Sequence, residues 1–524
     1  MLKKSNRRVR ILGKSFKKII AVSLTAVIML GIEACKKEEV QTYKDNKLTY
    51  WVALNPNAAT TVSEYGETPF SKALQERLGV EIEYEHPPQG QTSEKFNIMI
   101  SMGELPDIIE YQWMNYPGGP AKALSDNVIQ QLDIKEKAPN LYSYIEGNKE
   151  VDNLIKTDDG KYFGFPFIRG DRILQTSAGI IIRQDWLDSL GLEMPQTVDD
   201  WDNVLKAFKE QKGAKYPLSY NASFADYGAF VGAYGTIDGL YIDDGKVKYG
   251  ALEPGYKQFV AKMNEWYEAG YIPTDYATMD SKAVDANIIN GFSGATVGSV
   301  GSGIGRWTAA ATEDGYKLAG APYPVLERGQ KPEFGQMQLV TPGVFTAISR
   351  DCKNIDLAMK VLDYGYSEEG RMLYNFGIEG ESYEMIDGYP TYTDIITDNP
   401  DGLSMSAAMA RYIQAYDAGP FIQDKRYIEQ YSRLPEQKEA FTVWSDTNME
   451  NHLAPNISLT PKDSEVMAKK IVSINTYAEE QITKFIMGLE PVDNYDSFVE
   501  ELKVRGVEEY LELMQAAYER FLNR

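Results

Sequence analysis

Residues 180–209 read IIIRQDWLDSLGLEMPQTVDDWDNVLKAFK and predict one strand followed by two helices. The isoleucines at 180–182 lack the polar alternation of a half-exposed strand, which favours a strand buried on both faces. A short helix then carries Trp186 and Leu190 on one face, and Gly191 is placed to end it in the left-handed conformation. This segment is predicted to pack as scaffold.

The second helix has its own start signal and its own apolar face. Thr197 and Asp200 have the spacing of a capping box, in which each side chain bonds the backbone of the other residue. The apolar side chains that follow recur at i, i+3, i+4 and i+7, as one buried helix face requires; they are Trp201, Val204, Leu205 and Phe208.

The chain upstream of this segment alternates between strands and helices. Strands are predicted over 48–52, 80–84 and 107–109, and helices over 70–78 and 94–102 lie between them. Such alternation is typical of a parallel sheet, whose ligands bind outside the carboxyl ends of the strands. We therefore expect the loops that follow the first and third strands to face a cleft.

Residues 183–199 have the pattern R-x-D-W-L-D-x-L-G-L-x-x-P-x-T-x-D, which is similar to a segment of a known family. It resembles a segment of the lipoprotein branch of the extracellular solute-binding proteins (family 1). The likeness continues in the family's order at residues 101–109, 160–166, 377–383 and 484–488. This branch includes alginate- and glycan-oligosaccharide-binding lipoproteins that serve bacterial ABC importers. The resemblance implies an α/β, two-lobed, type II periplasmic-binding-protein-like fold with additional C-terminal helices.

The same resemblance implies how the chain is divided between the lobes. We expect residues 47–165 and 318–365 to form the N-lobe. Residues 166–317 and 366–524 are expected to form the C-lobe, the last part including the C-terminal helices.

The first 34 residues are typical of a lipoprotein signal peptide. Eight lysines and arginines precede an apolar run over 19–32, and Ala34 stands directly before Cys35. The run is short for a membrane span. We expect Cys35 to be lipidated and residues 35–46 to form a tether, which places the domain on the extracellular face of the cytoplasmic membrane of a Gram-positive cell. A single-span N-terminal anchor is the alternative.

Composition excludes some classes of partner. The chain has 54 Lys and Arg against 76 Asp and Glu, a net charge of −22, and no basic cluster follows residue 37. Such a surface repels nucleic acid and anionic lipid. We expect a monomer whose partners are an oligosaccharide, ABC permease subunits and, through the anchor, the membrane.

The patterns that indicate catalysis or cofactor binding are weak. His86 and His452 stand far apart without a metal-type or triad spacing, and residues 301–305 only approach a dinucleotide fingerprint. Residues 210–217, where relatives carry a calcium loop, offer one carboxylate and two lysines, too few oxygens for the ion. We expect no catalytic residues, no cofactor and no metal.

Aromatic side chains at strand ends carry the functional signal, because sugars need flat rings to stack on and hydrogen-bonding groups around their edges. Trp186, Trp201 and Trp266 fall on helical faces and are predicted core. The predicted ligand-binding residues are Trp113, Trp307, Trp444, Tyr111, Tyr116, Asn55, Asn57, Asn115, Arg169, Asp171, Arg172, Phe224, Asp226, Tyr227 and Arg306.

These observations predict the substrate-binding lipoprotein of an ABC transporter, which captures an oligosaccharide between two lobes and breaks no bond. The first alternative is a surface glycan-active enzyme, a glycosidase or lyase, with Asp158-Asp159, Asp199-Asp200 or Asp243-Asp244 as its acid and base. The second is a peptide-binding importer component.

Overall fold

The computed structural model describes residues 46–414 and 418–524, without the side chains of Ser223, Asp226 and Tyr227. The predicted signal peptide, the lipidation site Cys35 and most of the tether lie outside these ranges. The predicted ligand-binding side chains Asp226 and Tyr227 also lie outside the described part.

One sheet of five strands forms the centre of the first lobe, in the order β2-β1-β3-β12-β4. β1, β2 and β3 pair in parallel, whereas β12 runs antiparallel to both β3 and β4. Its strands are β1 (Lys47–Trp51), β2 (Glu81–Glu85), β3 (Ile108–Gln112), β4 (Phe165–Pro166) and β12 (Val344–Ile348). The parallel part predicted from the sequence is therefore confirmed.

A second sheet of four strands forms the centre of the other lobe, in the order β11-β6-β10-β7. Its central strand β6 holds the three isoleucines, each fully buried, as predicted. Gly191, with φ of 63°, ends the helix that follows. The strands are β6 (Ala178–Arg183), β7 (Leu218–Ser219), β10 (Ala295–Ser299) and β11 (Leu318–Ala321).

Three small strand pairs complete the β-structure of the described residues. Two are antiparallel hairpins, β8 (Leu240–Asp243) with β9 (Lys246–Tyr249) and β13 (Tyr383–Ile386) with β14 (Tyr389–Tyr392). The third joins β5 (Ile168–Arg169) in parallel to β15 (Ile422–Gln423).

Helices cover both sheets and form most of the last third of the chain. In the first 250 residues they are α1 (Pro69–Leu78), α2 (Thr92–Met102), α3 (Gly119–Ser125), α4 (Ile134–Lys137), α5 (Pro139–Glu146), α6 (Lys149–Leu154), α7 (Gln184–Leu190) and α8 (Val198–Gln211). The others are α9 (Pro254–Glu268), α10 (Ser281–Ile289), α11 (Arg306–Ala310), α12 (Ile355–Tyr364), α13 (Glu368–Phe376), α14 (Asp394–Thr397), α15 (Met405–Tyr412), α16 (Lys425–Tyr431), α17 (Pro435–Ser445), α18 (Pro461–Ile486), α19 (Tyr495–Val504) and α20 (Val507–Leu522). Within the described ranges, no helix has the length and apolarity needed to cross a membrane.

Each sheet has its own hydrophobic core, as two lobes require. The second core contains Trp186, Trp201 and Trp266, which were predicted to be core. The predicted capping box of α8 is also present: the Thr197 side chain accepts from the Asp200 amide, and the Asp200 carboxylate accepts from the Thr197 amide. The C-terminal helices α18 and α19 join this core through Ile474, Phe485 and Phe498.

Two of the predicted lobe boundaries are corrected by the strand pairing and by the cores. Residues 318–321 were assigned to the N-lobe, but they form β11, which pairs with β6 in the second sheet. Residues after 365 were assigned to the C-lobe, but Leu373 and Tyr374 on α13 belong to the first core, together with Phe421. The chain therefore returns to the first lobe later, and stays in it longer, than the resemblance implied.

Candidate functional site

Three adjoining cavities form a cleft that draws residues from both lobes. The first, called here the aromatic chamber, has a volume of about 250 Å³. It shares Asn57, Ser406 and Tyr431 with a groove of about 730 Å³. That groove shares Ser302 and Arg306 with a third cavity of about 500 Å³, called here the Arg306 pocket.

The aromatic chamber lies between the first sheet and the helices α15 and α16. Tyr50 on β1 and Tyr84 on β2 stack with ring centroids 5.7 Å apart, because these parallel strands place them side by side. The Tyr65 ring meets Tyr84 edge-on at 5.9 Å. The remaining aromatic lining comes from α1, α13 and α16, and consists of Phe70, Tyr374, Tyr427 and Tyr431.

His86 fixes the sheet side of the chamber from behind. Its Nδ1 lies 2.8 Å from the Val52 carbonyl oxygen, and its Nε2 accepts a hydrogen bond of 3.1 Å from the Tyr65 amide. These two bonds require the neutral tautomer with the proton on Nδ1. Burial lowers the pKa of His86, which keeps the ring neutral. His86 is thus a half-buried structural residue.

A buried carboxyl group stands behind Tyr50. Glu110 on β3 accepts hydrogen bonds from the hydroxyls of Tyr50, at 2.8 Å, and of Thr346, at 3.3 Å. Burial raises the pKa of Glu110 to about 7, because a charge in this apolar setting loses its hydration. Burial also raises the pKa of Tyr50, so the Tyr50 hydroxyl keeps its proton at neutral pH.

The Arg306 pocket is organised around one carboxylate. Asp285 on α10 accepts a forked pair of bonds from Arg306, at 2.6 and 2.9 Å, and a third bond of 2.7 Å from the indole N–H of Trp307. Arg306 also donates through Nε to the Ser302 carbonyl. Asp280 and the ring of Phe224 complete this end of the cleft. The pocket thus presents hydrogen-bonding groups beside an aromatic face.

Glycines that follow β10 let one wall of the groove pack closely against α16 and α17. Residues Val300–Gly305 form a π-helical turn that runs into α11. A Cβ on Gly305 would lie 2.6 Å from Nε2 of Gln437, which donates a hydrogen bond of 2.9 Å to the Val300 carbonyl. A Cβ on Gly301 would overlap the Tyr431 ring. The glycines therefore serve close packing against α16 and α17.

Five of the predicted ligand-binding residues line this cleft. Asn55 and Asn57 follow β1 and line the chamber, and Asn57 also reaches the groove. Phe224, Arg306 and Trp307 line the Arg306 pocket. Trp307 is only 3% exposed, so its ring forms the floor of that pocket and not a free stacking platform.

Three aromatic predictions near the end of β3 are corrected by burial. Tyr111, Trp113 and Tyr116 pack around Phe96 in the first core, and Trp113 has no exposed surface. The Tyr111 and Phe96 rings stack with centroids 3.6 Å apart, and Trp113 meets Phe96 edge-on at 5.5 Å. Trp113 and Tyr116 follow the end of β3 as predicted, whereas Tyr111 lies within β3. All three rings are buried because they pack against aromatic neighbours in the first core.

The remaining predicted contacts lie away from the three cavities. Trp444 is fully buried against Gly179 and donates its indole N–H to the Ile180 carbonyl. Asn115 is exposed but lines none of the three.

Three charged predictions also lie outside the cleft, each with a partner. Arg169 is buried and donates to Gln423 and Gln338. Asp171 pairs with Lys425 at 3.0 Å, and Arg172 pairs with Glu450.

The tyrosines that dominate the chamber were not predicted from the sequence. Tyr50 and Tyr84 stand in predicted strands, where alternation alone does not reveal which face meets a cavity. Tyr374, Tyr427 and Tyr431 come from helices more than 280 residues further along the chain than Tyr84. Only tertiary structure brings them together. In the described ranges, no group of three or more His, Cys, Asp or Glu side chains is placed to hold a metal ion.

Comparison with known sequences gives matches over nearly the whole chain. "Lipoprotein LipO" of Bacillus subtilis (strain 168) is 26% identical, covering 96% of this chain and 98% of its own length. "Fructooligosaccharide ABC transporter substrate-binding protein FusA" of Streptococcus pneumoniae serotype 4 (strain ATCC BAA-334 / TIGR4) is 24% identical, covering 97% and 98%.

Comparison with solved structures confirms the predicted fold. The alginate-binding protein AlgQ2 without calcium ion superposes with a TM-score of 0.72 at 22% identity, covering 90% of this chain and 98% of that one. FusA in complex with kestose superposes with a TM-score of 0.73 at 22% identity, covering 91% and 99%. At these identities the likeness establishes the two-lobed α/β architecture.

A protein family described as "Bacterial extracellular solute-binding protein" matches residues 59–372, more than half of the chain. The match includes every strand of the two central sheets except β1, and all the residues that line the Arg306 pocket. Cleft, fold and sequence agree, and the chain therefore belongs to the bacterial extracellular solute-binding protein family.

Proposed function

We propose that this protein is the substrate-binding component of an ABC importer and that it captures an extracellular oligosaccharide in the cleft. The observation that carries the proposal is the continuity of an aromatic chamber with a groove and a pocket lined by polar groups. Sugar rings offer apolar C–H faces to aromatic rings and hydroxyls to amides, carboxylates and guanidinium groups. The cleft offers both kinds of partner along one path.

The relatives support the same substrate class. FusA is described as a fructooligosaccharide-binding transporter component and has been solved with kestose, and AlgQ2 is described as alginate-binding. Their ligands differ in charge, since alginate is a polyuronate and kestose is neutral. Oligosaccharide capture is the feature that the two share, and we extend that feature to this chain.

The proposed mechanism is closure of two lobes on the ligand. Asn57 follows a strand of the first sheet, whereas Ser302 and Arg306 follow a strand of the second, and all three line one groove. A ligand in the groove gains contacts with both walls only when the walls approach. Its binding free energy therefore shifts the equilibrium toward the closed form, which the permease then recognises.

The location and the partners follow from the same proposal. We place the protein on the extracellular face of the cytoplasmic membrane of a Gram-positive cell, held by a lipid on Cys35 and acting as a monomer with ABC permease subunits. The basic and apolar composition of the first 34 residues supports this placement.

The alternative function is a glycan-active enzyme, and the state of the cleft carboxylates argues against it. Glycoside hydrolysis uses two carboxyl groups, one to protonate the leaving group and one to act as base or nucleophile. Asp285 is committed to Arg306 and Trp307, and Asp280 accepts from the Ala283 amide as the N-cap of α10. Both carboxylates are better arranged as fixed acceptors than as proton carriers.

The test measures binding and turnover together. Purified protein is incubated with kestose, maltotriose and trigalacturonate, the melting temperature is recorded, and the sugars are then analysed by chromatography. We expect a higher melting temperature with at least one sugar, because a ligand that binds only the folded state stabilises it, and we expect every sugar to be recovered intact. Release of shorter products would overturn the proposal.

A matched pair of variants locates the site. Asn57→Ala removes a groove side chain, and Asn115→Ala removes an exposed asparagine that follows another strand of the same sheet outside the cleft. We expect Asn57→Ala to weaken sugar binding by about 1 kcal/mol, the usual value of one hydrogen bond, and Asn115→Ala to leave it unchanged. Equal affinities in both variants would move the site elsewhere.

A further inference from the structure

We propose, on the basis of the proposed function, that the aromatic chamber takes the terminal ring of the oligosaccharide and that this ring must be uncharged. The protein would then select neutral glycans over uronic ones at that end of the cleft. The family as a whole leaves this choice open, since relatives are described as binding both alginate and fructooligosaccharides.

The lining of the chamber contains no charged side chain among the described residues. Its polar members are tyrosine hydroxyls, the amides of Asn55, Asn57 and Gln414, and the hydroxyls of Thr68 and Ser406. Burial raises the pKa of Tyr84 to about 12, so that hydroxyl stays neutral. Residues 415–417 follow Gln414 and lie outside the described ranges; by sequence they include one charged residue, the acid Asp417. A cation is therefore absent from the described lining, and the sequence of that gap supplies none.

The charge behind the chamber wall also disfavours an anion. Glu110 contacts the hydroxyls of Tyr50 and Thr346, and its carboxyl group is either neutral or negative, never positive. Only the Tyr50 hydroxyl would separate a ligand carboxylate next to Tyr50 from the Glu110 carboxyl group. Moving a carboxylate from water into such a site removes its hydration without providing a counter-charge, which is strongly unfavourable.

The cations of the cleft stand at its other end. Both terminal nitrogens of Arg306 donate hydrogen bonds to Asp285, and its Nε donates to the Ser302 carbonyl oxygen. Arg433 lines the groove and donates to the Thr397 carbonyl, but it does not line the chamber. A charged sugar unit could meet Arg433 in the groove, whereas the unit inside the chamber meets neutral groups.

The small volume of the chamber indicates that it holds one end of the ligand and not the whole oligosaccharide. Its volume of about 250 Å³ is below the ~300–1,000 Å³ of a complete small-molecule pocket. The groove of about 730 Å³ continues from it through Asn57, Ser406 and Tyr431. A short oligosaccharide thus places one end in the chamber and the rest in the groove.

The test uses a pair of ligands that differ in charge alone. Trigalacturonate and its fully methyl-esterified form share one backbone, and kestose serves as a neutral sugar of another kind. Dissociation constants are measured by titration calorimetry at pH 8. We expect the ester to bind at least a hundredfold more tightly than the free acid, and the difference to persist at 0.5 M salt, since a buried charge is screened little.

A variant that supplies the missing cation makes the test independent of overall stability. Ala410 lines the chamber in the last turn of α15, where the helix dipole favours a cation. Ala410→Lys adds a charge, and Ala410→Met adds a side chain of similar length without one. We expect the lysine variant to reduce the preference for the ester at least tenfold relative to the methionine variant.

The outcomes separate this inference from the function on which it rests. If trigalacturonate binds the unmodified protein as tightly as its ester, the neutral chamber is refuted and oligosaccharide capture stands. If Ala410→Lys and Ala410→Met show the same preference, the ring does not enter the chamber and the inference is again refuted. If none of the three sugars binds, the proposed function fails for these classes, and the inference falls with it.

Discussion

Trp113 and Trp307 follow the carboxyl ends of β3 and β10, one in each lobe, and yet their surroundings are opposite. Trp113 is enclosed by aromatic rings, and among the described residues its indole N–H has no hydrogen-bond partner. Trp307 packs on Gly298, bonds Asp285 through its indole N–H and forms the floor of a cavity. The end of a strand brings a side chain near the cleft, but the size of its neighbours decides whether the ring reaches it.

The largest expected effect tests the buried member of this pair. Trp113→Ala should lower the free energy of unfolding by about 3–5 kcal/mol, as removal of a large core ring does, while the folded fraction binds sugar normally. Urea unfolding and calorimetric titration measure the two quantities. A variant that keeps its stability and loses sugar binding would reverse the roles given to the two tryptophans.

The next effect concerns the carboxyl group behind the chamber wall. Since the folded-state pKa of Glu110 is raised from 4.5 to about 7, the folded state binds this proton more tightly than the unfolded chain. The stabilisation is complete below pH 4.5 and is lost as the pH rises through 7, by about 3 kcal/mol in all. Glu110→Gln should remove that loss, which urea unfolding at pH 4.5 and pH 8 will measure.

A control for Glu110 comes from the same lobe. Glu76 is exposed on α1, so Glu76→Gln should leave the pH dependence of stability as it is. An unchanged pH profile in Glu110→Gln would show that the carboxyl group is already ionised in the folded state at neutral pH.

The glycine packing around the second tryptophan predicts an effect of intermediate size. A Cβ on Gly298 would lie 2.7 Å from the Trp307 ring, so Gly298→Ala should cost about 1–3 kcal/mol of stability through overpacking and should weaken sugar binding by displacing the ring. Gly147→Ala is the control, because its Cβ would meet only one backbone oxygen at 3.9 Å. Thermal unfolding of both variants, with and without sugar, measures the change in stability and in sugar binding. Equal changes in Gly298→Ala and Gly147→Ala would contradict the role given to Gly298.

The smallest effect isolates the indole N–H. Trp307→Phe keeps an aromatic floor but removes the bond to Asp285, at a cost of about 1 kcal/mol in stability. The same change at Trp113 removes an N–H that bonds nothing in the described structure, so Trp113→Phe should lose stability through reduced packing alone. Double-mutant cycles that combine each Trp→Phe change with Asp285→Asn distinguish the two tryptophans. We expect a coupling free energy between Trp307 and Asp285, and none between Trp113 and Asp285.

The parts of the fold that depend on local pattern could be predicted from the sequence. The isoleucine strand, the capping box at Thr197 and the parallel strands of the first lobe are all present. The boundary at residue 318 was wrong because nothing local distinguishes a last strand of one sheet from a first strand of the next. Pairing with β6 is what places these residues.

Only the cleft residues that directly follow a predicted strand could be predicted from the sequence. Asn57 and Arg306 each follow a strand within a few residues, and that local relation is visible in the sequence. The chamber combines β1 and β2 with helices that begin more than 280 residues later, a relation that no periodicity records. Burial of Trp113 likewise depends on Phe96, which stands on a separate helix.

The wall of the chamber opposite the first sheet is formed by two short helices, α15 and α16. Ser406, Met409 and Ala410 of α15 line the chamber, and none of them takes part in the strand pairing of the two central sheets. We therefore expect substitutions confined to this helix to change which sugar end the chamber accepts, while the pairing of both central sheets stays as it is.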